Sequence, residues 1–142
     1  MNRLYKWSDR IHSGIASHFG MNDTAFWVLY AISHTDEPLT QNDLCNDWFY
    51  PVQTINSAVS NLLKKGLVEL EIIPGTRNRK KLILTQAGRE IAKEVIGKVD
   101  EIESNAFLMF SEEEREIYLS LFQRHLENLT KEEKRMLDSL NK

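Results

Sequence analysis

The sequence predicts a mainly α-helical fold with one small β-hairpin, and three observations predict it. Apolar residues recur at three- and four-residue steps through most of the chain, the spacing of one helix face. The run "LVELEII" at residues 67–73 switches to a period of two, which is the signature of a strand. A second strand-like run, "KKLIL", follows across "PGTRNR", whose Pro, Gly and Asn make a turn.

Each element has its own local cause. Leu4, Trp7, Ile11, Ile15 and Phe19 form one helical row, and Gly20 sits where that helix should stop. Asn22 or Asp23 caps a second helix, whose "AFWVLYAI" is apolar nearly all round and so belongs at the centre of a core. Pro38 forbids its continuation, and Thr40 caps a short helix, "QNDLCNDW". Pro51 suits the first turn of the next helix, 51–65. Val52, Ile55, Val59 and Leu62 make its apolar stripe, and Lys64, Lys65 and Gly66 end it. The hairpin then spans 67–84, and Thr85 caps a long helix reaching to about residue 110. "SEEE" at residues 111–114 is a capping box that opens another helix. "TKEE" at 130–133 repeats the signature and predicts a separate, short terminal helix.

The totals exclude several classes. A chain of 142 residues with 42% hydrophobic content can bury a core as a single domain. One cysteine, Cys45, rules out a disulfide within the chain and suits a cytoplasmic protein. No apolar run approaches the ~20 residues that span a membrane, and no signal peptide is visible. Ser/His/Asp order, phosphate loop and metal-ligand spacing are all missing, so neither an enzyme nor a cofactor or metal site is expected. Net charge is −3 but unevenly spread. Residues 51–99 hold nine bases against four acids, while residues 100–142 hold eleven acids against six bases. The basic middle is a local electrostatic footprint.

Within it, "PVQTINSAVSNLL" at 51–63 has no charge at all in a chain that is 27% charged. A solvated face normally uses charges. Amides and hydroxyls without acids suit a face that meets donors and acceptors beside phosphates. Two short helices joined by a tight turn, the second with this face, followed by a basic-tipped hairpin, make a winged helix-turn-helix. The N-terminal part of the second helix reaches bases in a major groove, which nominates Gln53, Thr54, Asn56 and Ser57 as readers. Ser60, Asn61 and Lys64 lie further along, toward the backbone. Arg77 and Arg79 suit a minor groove, and Lys80 and Lys81 suit phosphates.

The run from Leu39 to Glu90 resembles the multiple-antibiotic-resistance-regulator (MarR) family of bacterial winged-helix transcription factors. The pieces "LTQ.DL", "QT....V..L.KKGLVE" and "R.RK.L.LT.AGRE" carry the likeness in order and spacing. The resemblance implies a DNA-binding repressor that works as a homodimer on pseudo-palindromic double-stranded DNA. It divides the chain into an N-terminal dimerisation helix at 1–20, a DNA-binding lobe at 21–84, and a long helix with C-terminal dimerisation helices at 85–142. It also implies release by a small aromatic ligand or an oxidant. The candidate DNA contacts then include Thr40, Gln41 and Asn78 beside the residues above. His12, Trp27 and Tyr30 are candidates for a ligand pocket as well as for core. Three positions depart from the family: Ser57 where an arginine is frequent, Asn78 where the wing commonly has Asp, and Phe49 where the turn usually has glycine. The last suggests that Trp48, Phe49 and Tyr50 pack outward. Cys45 reads first as a small buried hydrophobe and second as a redox sensor, because no basic cluster adjoins it. The competing class is a winged helix that binds protein, and the clustered bases of the hairpin argue against it.

Overall fold

The structure is a computed structural model that describes residues 2–47 and 50–140. Its elements are α1 (Asn2–His18), α2 (Asp23–Ser33), α3 (Gln41–Asp47), α4 (Val52–Lys64), β1 (Val68–Ile72), β2 (Lys80–Leu84), α5 (Gln86–Leu108) and α6 (Glu112–Leu140). It is mainly helical with one hairpin, as the periodicities predict. The chain divides into two compact units, Met1–Glu101 and Ile102–Lys142.

The first unit holds the core. Phe26, Val28 and Leu29 of α2 are fully buried with Leu44 of α3, Ile55, Val59 and Leu62 of α4, and Val95 and Val99 of α5. The caps act where the sequence places them. The Asn22 side-chain oxygen accepts from the Ala25 amide at 2.8 Å, and the Thr85 hydroxyl accepts from the Gly88 amide at 3.0 Å. Gly20 and Gly66 end α1 and α4 at φ 66° and 67°, backbone that a side chain disfavours.

Three expectations need correction here. Pro51 stands outside α4 as its N-cap, with ψ 139°, so the helix starts at Val52 and ends at Lys64. Val52 is exposed, because the first turn overhangs the core; Ala58 takes its place among the buried seats. Tyr50 packs against the core, not outward. Burial, with Asp23 and then Asp9 nearby, pushes its hydroxyl above the ordinary tyrosine range. Trp48 and Phe49 lie outside the described residues.

The hairpin pairs Val68 with Leu84 and Ile72 with Lys80, antiparallel. Of its two strands only Val68 and Leu82 are buried, while Leu70 and Ile72 are exposed. Two backbone bonds seat it. The Leu82 amide donates to the Leu39 carbonyl, just before α3, at 2.8 Å, and the Thr85 amide to the Leu67 carbonyl at 3.1 Å. Gly88 of α5 lies against the same Leu67 carbonyl, and a Cβ there would fall 1.8 Å from the oxygen. No side chain fits that gap.

In the second unit, Ser111 and Glu114 form the predicted capping box: the Ser111 amide donates to the Glu114 carboxylate at 2.8 Å, and the Glu114 amide to the Ser111 hydroxyl at 3.2 Å. Phe107, Phe110, Tyr118 and Phe122 contact one another ring to ring around that turn, with neighbouring centroids 6.1–6.5 Å apart. The short terminal helix expected at 130–133 does not exist. Helix α6 runs unbroken through Thr130, whose hydroxyl donates back to the Leu126 carbonyl at 3.0 Å. A hydroxyl satisfied inside the helix caps nothing.

Candidate nucleic-acid interface

Helix α3 begins with a reciprocal cap. The Thr40 amide and hydroxyl both donate to one Asp43 carboxylate oxygen, at 2.8 and 2.6 Å. The Asp43 amide donates to the Thr40 hydroxyl at 3.2 Å. The Thr40 hydroxyl holds the Asp43 carboxyl below the usual carboxylate range; the Thr40 amide and the Arg79 charge act in the same direction, against burial. Thr40 is buried and its hydroxyl is committed to this cap.

On α4, Gln53, Asn56, Ser57, Ser60, Asn61 and Lys64 are exposed and Thr54 is half-buried. At ~100° per residue these seven span an arc of roughly 160°, opposite the buried stripe. Asn61 stands toward one flank, where it also lines a cleft of about 600 Å³ with Phe19, Met21 and Lys65. On the other flank α3 meets α4: the Gln41 side-chain nitrogen donates to the Asn56 side-chain oxygen at 3.1 Å.

The hairpin tip turns on Gly75, at φ 78°. The Ile73 amide donates to the Arg79 carbonyl at 2.9 Å and the Thr76 amide to the Ile73 carbonyl at 3.1 Å. Arg77, Asn78, Arg79 and Lys80 stay exposed. Lys81 does not join them. It is held 3.0 Å from Glu71, its cross-strand partner. Thr40, Gln41, Asn78, Arg79 and Lys80 come together around one groove of about 310 Å³, with Asn42 and Leu70. Those last two were missed by sequence reasoning. Asn42 had a signal, as the polar residue beside Gln41 on a helix start; Leu70 had none, since its alternation predicts a covered position.

The MarR family's sequence model matches residues 19–77, from the end of α1 to the hairpin tip. Over that stretch the chain is similar to the MarR family. No curated protein matches it. Solved structures share its fold. Staphylococcus aureus MepR in complex with DNA aligns over 90% of this chain and 92% of its own, with TM-score 0.77 and 22% identity. MepR in its DNA-binding conformation gives the same score and identity over 90% and 97%. The transcriptional regulator PA3341 aligns over 92% and 97%, with TM-score 0.79 and 19% identity. At such identities the likeness is one of fold.

The ligand-pocket candidates are packed against one another. The His12 and Trp27 rings lie 5.2 Å apart, Trp27 and Tyr30 5.3 Å, and Tyr30 stacks on His34 at 4.0 Å. The His34 ring also bridges the Tyr30 carbonyl, at 2.9 Å, and the Asp100 carboxylate of α5, at 3.1 Å. The three candidates are half-buried. Cys45 is half-buried against the core rather than fully buried. None of the described helices is long and apolar enough to cross a membrane.

Proposed function

We propose that this chain is a sequence-specific, double-stranded-DNA-binding transcriptional regulator of the cytoplasm. It acts as a repressor, by binding and not by catalysis. The observation that carries the reading is the continuity of two surfaces: the polar arc of α4, uncharged from Gln53 to Asn61, runs through the Gln41–Asn56 contact into the groove that holds Arg79 and Lys80. The arc suits base edges in a major groove, and the cationic tip suits phosphates or a narrow minor groove. A protein-binding winged helix has no use for Arg77, Arg79 and Lys80 exposed along one hairpin tip.

The working form is a homodimer on a pseudo-palindromic site. Supporting this are the exposed Leu4, Trp7 and Ile11 of α1 and the exposed Leu121, Phe122, Leu126 and Leu129 of α6, which ask for a cover. A small aromatic molecule stacking with His12, Trp27 and Tyr30 is the proposed releasing signal, supported by the ring character of that row.

A gel shift on the DNA upstream of its own gene tests the core of this reading. Gln53→Ala should weaken the cognate site by about 1–3 kcal/mol while leaving nonspecific binding nearly unchanged. Arg79→Ala should weaken many sequences alike and make the log–log salt slope shallower by about one, from roughly −6 for a dimer that neutralises ~3–4 phosphates per subunit. A folded protein that shifts no DNA at low salt would turn the assignment toward the protein-binding class.

A further inference from the structure

The contact between Gln41 and Asn56 has a direction, and the direction has a consequence for sequence preference. A side-chain amide reads adenine by using both of its ends, the NH2 toward N7 and the oxygen toward the N6 amino group. In Asn56 one of these ends is already engaged. Its oxygen accepts from the Gln41 side-chain nitrogen at 3.1 Å, on the α3 flank. Turning the oxygen toward α3 leaves Nδ2, with two hydrogens and no lone pair, as the outward end of an exposed side chain. Two donated hydrogens match a base edge that carries two acceptors. In the major groove that edge is guanine, with N7 and O6 side by side. Gln41 is itself half-buried and lines the groove with Arg79 and Lys80, so it is held where it can keep the amide turned.

We propose that Gln41 is a positioning residue that fixes the Asn56 amide as a donor, so that this pair selects guanine, and not adenine, at one position of each half-site. The proposal rests on the DNA-reading function proposed above and adds to it a base and the residue that chooses it. Asn56 touches the base. Gln41 acts through Asn56, and its influence is therefore confined to the base that Asn56 reads.

Selection from a randomised duplex pool with the full chain tests this, using wild type, Gln41→Ala, Asn56→Ala, the double variant and Gln41→Glu, each checked for an unchanged melting transition. Wild type should enrich guanine at one symmetric position by about tenfold over adenine. Gln41→Ala frees the amide to turn, and the preference at that position alone should move to adenine. Asn56→Ala should abolish the preference there, and the double variant should match it. Gln41→Glu can only accept, so it should turn the amide over, present Oδ1 outward and favour a base with an amino group, cytosine or adenine. Overall affinity is expected to fall in Gln41→Glu because an acid sits near phosphate, but base preference is read within each selected pool. The inference fails if Gln41→Ala selects the same bases as wild type, or if the position lost in Asn56→Ala is adenine in wild type. If wild type enriches no sequence at all, the DNA-reading function itself fails, which is a different result from enrichment that ignores Gln41.

Discussion

The two units use the same residues to opposite ends. Met1–Glu101 contains every buried hydrophobic residue of the described chain, from Ala16 to Val99. Ile102–Lys142 is as regularly patterned, yet none of the described residues of α6 is buried. Leu121, Phe122, Leu126, Leu129 and Leu137 stand at helical spacing, and 42–50% of the surface of each remains to cover. Burying a leucine or phenylalanine contributes about 1.5–3 kcal/mol. The buried residues of the first unit collect that stabilisation within it, and the apolar row of α6 does not. A periodic apolar row shows that something will be buried; it does not show whose residues bury it.

That contrast can be broken most severely at Gly88. Gly88→Ala places a methyl group against the Leu67 carbonyl, backbone that cannot swing aside. It should cost at least about 3 kcal/mol, the upper range for overpacking, measured by urea unfolding. An unchanged midpoint would show that the corner between α4, the hairpin and α5 is not tight. Phe122→Lys puts the second unit to the same trial. A surface change that disturbs no core should leave the chain's own stability within about 0.5 kcal/mol, while light scattering at micromolar concentration should move from two chains to one. A loss of fold instead of assembly would mean that α6 serves its own chain. The smallest effect concerns Asp43, whose carboxyl the Thr40 hydroxyl holds low. A depressed folded value contributes stability that is present above the ordinary aspartate range and is lost as pH falls through the folded value. Asp43→Asn should therefore be less stable than wild type at neutral pH, and the deficit should close below about pH 4. A deficit that persists in acid would assign the cap to shape and not to charge.

Caps and turns were legible because their chemistry is local. Asn22, Thr40, Thr85 and the Ser111–Glu114 box each needed only neighbours within three residues. The polar arc of α4 was legible for the same reason. What escaped depends on partners far away in sequence. The glycine of "AGRE" was visible as a piece of a motif, but its cause is a carbonyl twenty-one residues earlier. Lys81 reads as one more free base until the register sets it opposite Glu71. The bond from Gln41 to Asn56 spans fifteen residues and two helices, and no spacing rule announces it. Val52 failed differently. Its period was right, but a stripe does not say where along the helix the core ends.

Helix α6 carries one more consequence, and it is one of angular phase. Because Thr130 does not interrupt the helix, the rotation accumulated before it is kept after it. Leu126 and Leu129 on one side of Thr130, and Met136, Leu137 and Leu140 on the other, therefore belong to one face rather than to two independent ones. Each residue turns the helix by ~100°. One alanine inserted after Thr130 would swing the last three onto a different side, although no apolar residue has been removed. Seven inserted residues would bring them back to within roughly 20°. The rod of 29 residues is thus a shaft whose two halves are keyed together, and the surface that covers it must be met along its whole length in one alignment.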